Sequence, residues 1–300
     1  MSQPTAVLFD APGPKARRRT LIGSVVAGLV LLALLVAAAL RLAERGQFDA
    51  ELWNPLINPS DEQFPLVWAR IAEGLVVTLR AAFFAVVLSL VIGMVIAAAR
   101  LSLGRVARAP LVAVVELLRG LPVIVTILYV DVLMRTVGIH QGPEVSLVIA
   151  LTLYNCVIIS EIVRAGVLSL PTGQVEAGLA VGLTRGQVMR AIQLPQAVRS
   201  MLPALISQLV VILKDTALAS IVLALIVDLG QVAGRLRGAL DNPLQTYFVI
   251  GLIYIVINLL LEQVAKHLQR RTSGGGRKRR RRAAATTDTD ATDRATSSRL

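Results

Sequence analysis

Charge is scarce in this 300-residue chain: only 17% of its residues are Asp, Glu, Lys or Arg, where an average soluble domain carries about a quarter. Cysteine is scarcer still. The one cysteine, Cys156, excludes an internal disulfide and lies in an apolar run, where a small buried side chain is expected. Nowhere does the chain contain G-x-x-x-x-G-K-[ST], H-E-x-x-H or G-x-S-x-G, so P-loop hydrolysis, a zincin site and a nucleophile elbow are all excluded. What the chain does have is apolar bulk: 55% of its residues are hydrophobic and the mean hydropathy is +0.69. Such a balance describes an all-α protein in lipid.

A helix needs about 20 apolar residues to cross the hydrocarbon core. Six stretches meet that need: 21–40, 68–99, 111–134, 145–163, 201–227 and 244–265. The first follows Lys15-Ala16-Arg17-Arg18-Arg19 in the manner of a signal peptide, but it is longer than an h-region and is read as a retained helix. Segment 41–65, with five acidic residues, Trp53 and three prolines, reads as an extracytoplasmic loop bearing an interfacial aromatic. From Thr272 onward no apolar period survives, which predicts a basic, disordered tail over 266–300.

Lys and Arg set the orientation. With residues 1–20 inside, 22 of them fall in inner segments (100–108, 164–200 and the tail included) and six in outer ones; without the tail the ratio is still 11 to 6. Both termini are therefore expected in the cytoplasm, with six spans between them and His140 and His267 on opposite sides. The run Arg277 to Arg282 is one that nucleic acid would also attract, but beside these spans it reads as a positive-inside device, with no nucleic-acid partner.

The inner segment 164–200 is too polar to span. Pro171-Thr172-Gly173 breaks the chain, Thr172 is placed to cap a short helix from Gln174 to Val181, and Gly182 suits the left-handed residue after it. Thr184 and Gln187 have the spacing of a capping box for a second short helix, which Leu194-Pro195 is expected to end. Residue patterning alone leaves two readings open: an amphipathic connector, or a helix–turn–helix that docks a partner.

Glu176-Ala177-Gly178, three residues, Gly182, nine residues and Ile192-Gln193-Leu194-Pro195 resemble the coupling-loop signature of ABC importer permeases, departing from E-A-A only at Gly178. Glu161-Ile162-Val163-Arg164-Ala165-Gly166, Lys214-Asp215-Thr216-Ala217-Leu218, Arg119-Gly120-Leu121-Pro122 and Gly74 with Thr78-Leu79 are similar to the polar amino acid branch of that family. The opening Val7 to Pro14 looks like glutamate-type permease subunits. The resemblance covers about 67–262. It implies the type I importer permease fold in a bacterial cytoplasmic membrane, and a chain that is not itself an enzyme. Glu176, Ala177, Gly178, Gly182, Ile192, Leu194 and Pro195 would couple it to an ATPase. ATP and Mg would be bound by that partner, with no cofactor on this chain. A second, non-identical permease and an extracytoplasmic substrate-binding protein complete the implied assembly, and the amino acid carried would be glutamate. An ion-coupled secondary transporter or channel for a small polar solute is the rival, and the Glu176 to Pro195 signature argues against it.

Polar groups within spans are expensive and mark function. The candidate substrate path comprises Thr78, Arg80, Arg119, Asn155, Lys214, Asp215 and Thr216. Arg80 lies six residues past Gly74, about 9 Å along a helix, where it either binds a substrate carboxylate bidentately or snorkels outward. Arg119 has Glu116 as a structural partner at i−3, and Glu161 has Arg164 at i+3. Lys214 and Asp215 point to different faces and fit helix packing or a gate better than direct substrate contact.

Overall fold

A computed structural model describes residues 13–139, 142–223, 226–264 and 266–267. The opening stretch 7–12, His140 and the tail from 268 on lie outside the described residues. Helix α1 (Pro14–Glu44) buries none of its residues against the rest of the chain. Its 31 residues reach about 46 Å, longer than the roughly 30 Å hydrocarbon core, and its apolar surface needs lipid or another subunit around it. Segment 41–65 is less irregular than its composition suggests: it holds a short helix, α2 (Ala50–Ile57). Two indoles pin this segment, Trp53 Nε1 donating to Gln47 O and Trp68 Nε1 to Leu56 O.

Helix α3 (Phe64–Ser102) is the spine. Its buried face is a stripe of small residues three or four apart, including Gly74, Thr78, Ala81, Ala85, Ser89, Gly93 and Ala97, which lets α6 (Pro143–Leu168) lie close against it. Gly93 is required there, because a Cβ at that position would come within 2.7 Å of Ile159 Cγ2 and 2.8 Å of the Cys156 carbonyl. Together with α5 (Val123–Thr136) and α9 (Leu194–Thr216), these helices enclose the main core around Ile127, Leu151, Ile159 and Ile212.

The expected third span, 111–134, is two helices, α4 (Arg105–Gly120) and α5 (Val123–Thr136), bent by 110°. Leu121 is extended, as the steric demand of Pro122 on its predecessor requires. Among the described residues, counting the bent pair as one span gives six helices long and apolar enough to cross, and five without it.

Two boundaries differ from expectation. The short helices α7 (Gly173–Ala180) and α8 (Arg185–Val188) form as predicted, but Leu194-Pro195 does not stop the second one. It continues through a π-turn (Met189–Gln193) into α9 (Leu194–Thr216), with Pro195 in the first turn of α9. Leu194 N–H bonds the carbonyl five residues back, at Met189. A wider turn there removes the crowding a proline imposes on the carbonyl four residues before it.

The second difference is at the fifth span, which ends at Thr216 rather than Val227. A one-turn helix, α10 (Ala219–Val222), follows, and then α11 (Leu229–Leu240) occupies what composition assigned to a loop. Nothing local interrupts the apolar run from Ala217 to Val227. The chain re-enters a helix at Asp228, whose Oδ1 accepts from Gln231 N at 3.0 Å, with Thr78 Oγ1 of α3 accepting from Leu229 N at 3.0 Å. Helix α12 (Pro243–Val264) closes the bundle. With α11 and α2 it packs on the N-terminal third of α3 around Leu56, Val67, Ile71, Leu229 and Val249.

Candidate coupling elbow and transport path

The elbow between α6 and α9 is built from local rules. Helix α7 ends in a Schellman motif: Gly182 has φ +85°, Leu183 N bonds Gly178 O at 3.2 Å, and Gly182 N bonds Leu179 O at 3.0 Å. Thr184 and Gln187 form a reciprocal capping box, Thr184 N donating to Gln187 Oε1 at 2.8 Å and Gln187 N to Thr184 Oγ1 at 3.3 Å. Thr172 differs from expectation: it occupies the N-cap position of α7 in a helical conformation, and its side chain caps nothing.

Gly178 is the buried residue of α7. A Cβ on it would approach Val188 Cγ2 to 2.8 Å and Ile192 Cδ1 to 3.0 Å, so the missing methyl lets the two short helices close on each other. Val167, Met189 and Ala197 fix the elbow to the bases of α3 and α6. Glu176 and Ala177 remain exposed, and so do Leu179 at 40% and Val181 at 77%. Of the other coupling candidates, Ile192 and Leu194 are half-buried and Pro195 is exposed.

Just above the elbow lies a charged cluster that the sequence disclosed in part. Arg164 Nη2 pairs with Glu161 Oε2 at 2.8 Å, and the other oxygen of Glu161 takes Arg100 of α3, whose side chain is only 9% exposed. Arg100 also faces Glu116 of α4 at 3.9 Å. The expected Arg119–Glu116 pair is therefore corrected: Glu116 turns to Arg100, and Arg119 is exposed with no ion-pair partner among the described residues. Composition had assigned Arg100 to the inner interface, and nothing local in the sequence announced its partners on α4 and α6.

Elsewhere the candidate path residues are dispersed. Arg80 is bidentate to Glu144 at the start of α6, with Nε donating to Oε1 at 3.2 Å and Nη2 to Oε2. Its fork is already filled, which corrects the reading that it awaits a substrate carboxylate. Asn155 is enclosed between helices: Nδ2 donates to Leu151 O at 2.9 Å and Oδ1 accepts from Gln208 Nε2 at 2.7 Å, a clamp between α6 and α9 rather than a path wall. Thr78 and Thr216 come together around the hydroxyl of Tyr254, beside the buried Asp228. Lys214 lines a groove of about 470 Å³ with Tyr254, Asn258 and Glu262, while Asp215 is half-buried. Tyr254, Asp228, Arg235 and Arg237 were not foreseen; the Asp228-to-Gln231 spacing was the one local signal available.

The described residues form an apolar helical bundle from which one capped elbow projects. Residues 63–274 match the family of binding-protein-dependent transport system inner membrane components, and the chain belongs to that family. It is 37% identical over 235 residues to the glutamate transport system permease protein GluD of Corynebacterium glutamicum, covering 77% of this chain and 83% of that one. It is 30% identical to the probable glutamine ABC transporter permease protein GlnP of Bacillus subtilis, covering 71% and 96%. The crystal structure of an amino acid ABC transporter with histidines superposes with a TM-score of 0.61 at 28% identity, over 68% of this chain and 94% of that chain. The protein is a permease subunit of an ABC amino acid importer in the bacterial membrane, with the type I importer fold.

Proposed function

We propose that the amino acid carried is glutamate, and that residues 173–195 receive the stroke of a separate ATP-hydrolysing subunit in the cytoplasm. The observation that carries the second half is the elbow. It is rigidly capped at Gly182 and Thr184, anchored to α3 and α6, and presents Glu176, Leu179 and Val181 as exposed side chains among the described residues. Glu176, in the first turn of α7, complements the helix dipole and leaves the apolar side chains for contact. Ile192, Leu194 and Pro195 would pass the motion into α9 without a hinge, because the helix runs through the π-turn unbroken.

Glutamate follows from the likeness to GluD. Both termini lie in the cytoplasm in this reading, as the Lys and Arg bias of 22 to 6 favours. A binding protein delivers substrate outside, and a second, non-identical permease completes the pathway. Nucleotide and Mg belong to the ATPase. Labelled uptake in a strain lacking the native system, with the whole importer restored, tests the assignment. Unlabelled glutamate should compete, and glutamine, arginine and histidine should not; uptake should stop on ATP depletion with the ion gradients held. Uptake that survives ATP depletion would overturn the coupling, and competition by arginine alone would overturn glutamate.

A further inference from the structure

We infer that the groove between α11 and α12 is a binding site for an anionic amino acid, with Arg237 as the cation that receives its side-chain carboxylate. The inference rests on the reading of this chain as a glutamate permease and says where in the membrane domain that selectivity is exercised.

The groove is built by two stripes with the same spacing. Gly230, Gly234 and Arg237 line it from α11, and Tyr247, Gly251 and Tyr254 from α12, each at i, i+4 and i+7. Its volume is about 630 Å³, within the range of roughly 300–1,000 Å³ typical of small-molecule sites. A Cβ built on Gly234 or on Gly251 meets nothing within 4 Å, so neither glycine serves packing within this chain. What they keep open is the groove.

Charge selects the ligand. Two arginines, Arg235 and Arg237, line the groove and no carboxylate does. Arg237 is exposed and has no ion-pair partner among the described residues, and its guanidinium sits 5.9 Å from the centre of the Tyr247 ring, a contact that leaves its N–H donors free. Arg80, by contrast, has its fork taken by Glu144. At the other end of the groove the buried hydroxyl of Tyr254 lies beside Thr78 and Thr216, and Asp228, fully buried behind Gly230, leaves Oδ2 unpartnered. An amino acid spanning the groove would place one carboxylate on Arg237 and bring its polar backbone groups towards the Tyr254 end. The groove also lies on the half of the bundle away from the elbow, where α11 packs on the start of α3, so substrate would meet it before any movement driven from the elbow.

The test uses the complete importer in a strain lacking the native system, comparing Arg237→Gln, Arg237→Lys and Gly234→Leu with wild type for labelled glutamate uptake and for co-purification of the subunits. Arg237→Gln should lower Vmax/KM for glutamate by about tenfold or more, with glutamine gaining as a competitor, and Arg237→Lys should fall between. Gly234→Leu should block uptake while the subunits still co-purify. Undiminished glutamate uptake by Arg237→Gln overturns the inference alone. So does loss of co-purification in Gly234→Leu, which would mean that a neighbouring helix fills the groove. Wild-type uptake confined to neutral or basic amino acids would instead defeat the glutamate reading, and this inference with it.

Discussion

Removing Glu161 should damage this protein far more than removing Arg164, its ion-pair partner three residues on. Glu161 accepts from Arg100 with one oxygen and from Arg164 with the other. The two cations are not equivalent: Arg100 is 9% exposed and Arg164 is 35% exposed. Glu161→Ala leaves Arg100 buried with only Glu116, at 3.9 Å, to answer its charge. Breaking a buried pair from one side costs about 3–5 kcal/mol. Arg164→Ala removes the better-hydrated cation, and the pair Arg100–Glu161 persists, so the expected loss is about 0–1 kcal/mol. Replacing both buried partners, as Arg100→Met with Glu161→Met, should return stability close to that of wild type, because no charge is then stranded. Unfolding in detergent, followed through the fluorescence of Trp53 and Trp68, gives the ranking. Equal midpoints for Glu161→Ala and Arg164→Ala would refute the reasoning, as would a double variant no better than Glu161→Ala.

Other expectations are as specific. Gly182→Val puts a β-branched residue at φ +85°, at a cost of about 1–2 kcal/mol or more; substrate-stimulated ATP hydrolysis by the reconstituted importer should fall, whereas Gly182→Asn should retain most of it. Gly93→Ala forces a methyl against the Cys156 carbonyl and Ile159 and should cost about 1–3 kcal/mol. Gly28→Ala in α1, where a Cβ meets nothing within 4 Å, should leave the unfolding midpoint unmoved. Thr184→Ala removes the hydroxyl arm of the capping box, leaving the backbone N–H of residue 184 on Gln187 Oε1, and should destabilise the elbow by about 1 kcal/mol, read as faster amide exchange over 185–192.

What the sequence disclosed and what it concealed follow the range of the interactions. Spans were legible because lipid demands an apolar side chain at nearly every position of α1, α3 and α6. The elbow was legible because a capping box and a left-handed glycine are settled within a few residues of themselves. The end of α9 at Thr216 and the start of α11 were not legible: no periodicity within 201–227 records the first, and the second is held by Thr78, 151 residues before Leu229 in sequence. Pro195 misled for a related reason, since the turn that accommodates it depends on the bonding of Met189. Arg80 was visible as a costly charge and Arg100 only as a cation of the inner interface, and their partners, Glu144 and Glu161, stand on another helix 64 and 61 residues further along. A charge in a span announces that it needs a partner without saying which.

The central claim is that the elbow touches a nucleotide-hydrolysing subunit. Val181 is its most exposed apolar side chain, and the native Cys156 is buried, so Val181→Cys offers a single reactive thiol on that face. Photo-cross-linking from that thiol in the assembled importer should capture the ATPase subunit, and ATP with a trapped transition state should change the yield. Capture of only lipid or the extracytoplasmic binding protein, or labelling of the thiol by an impermeant reagent added outside intact cells, would contradict it.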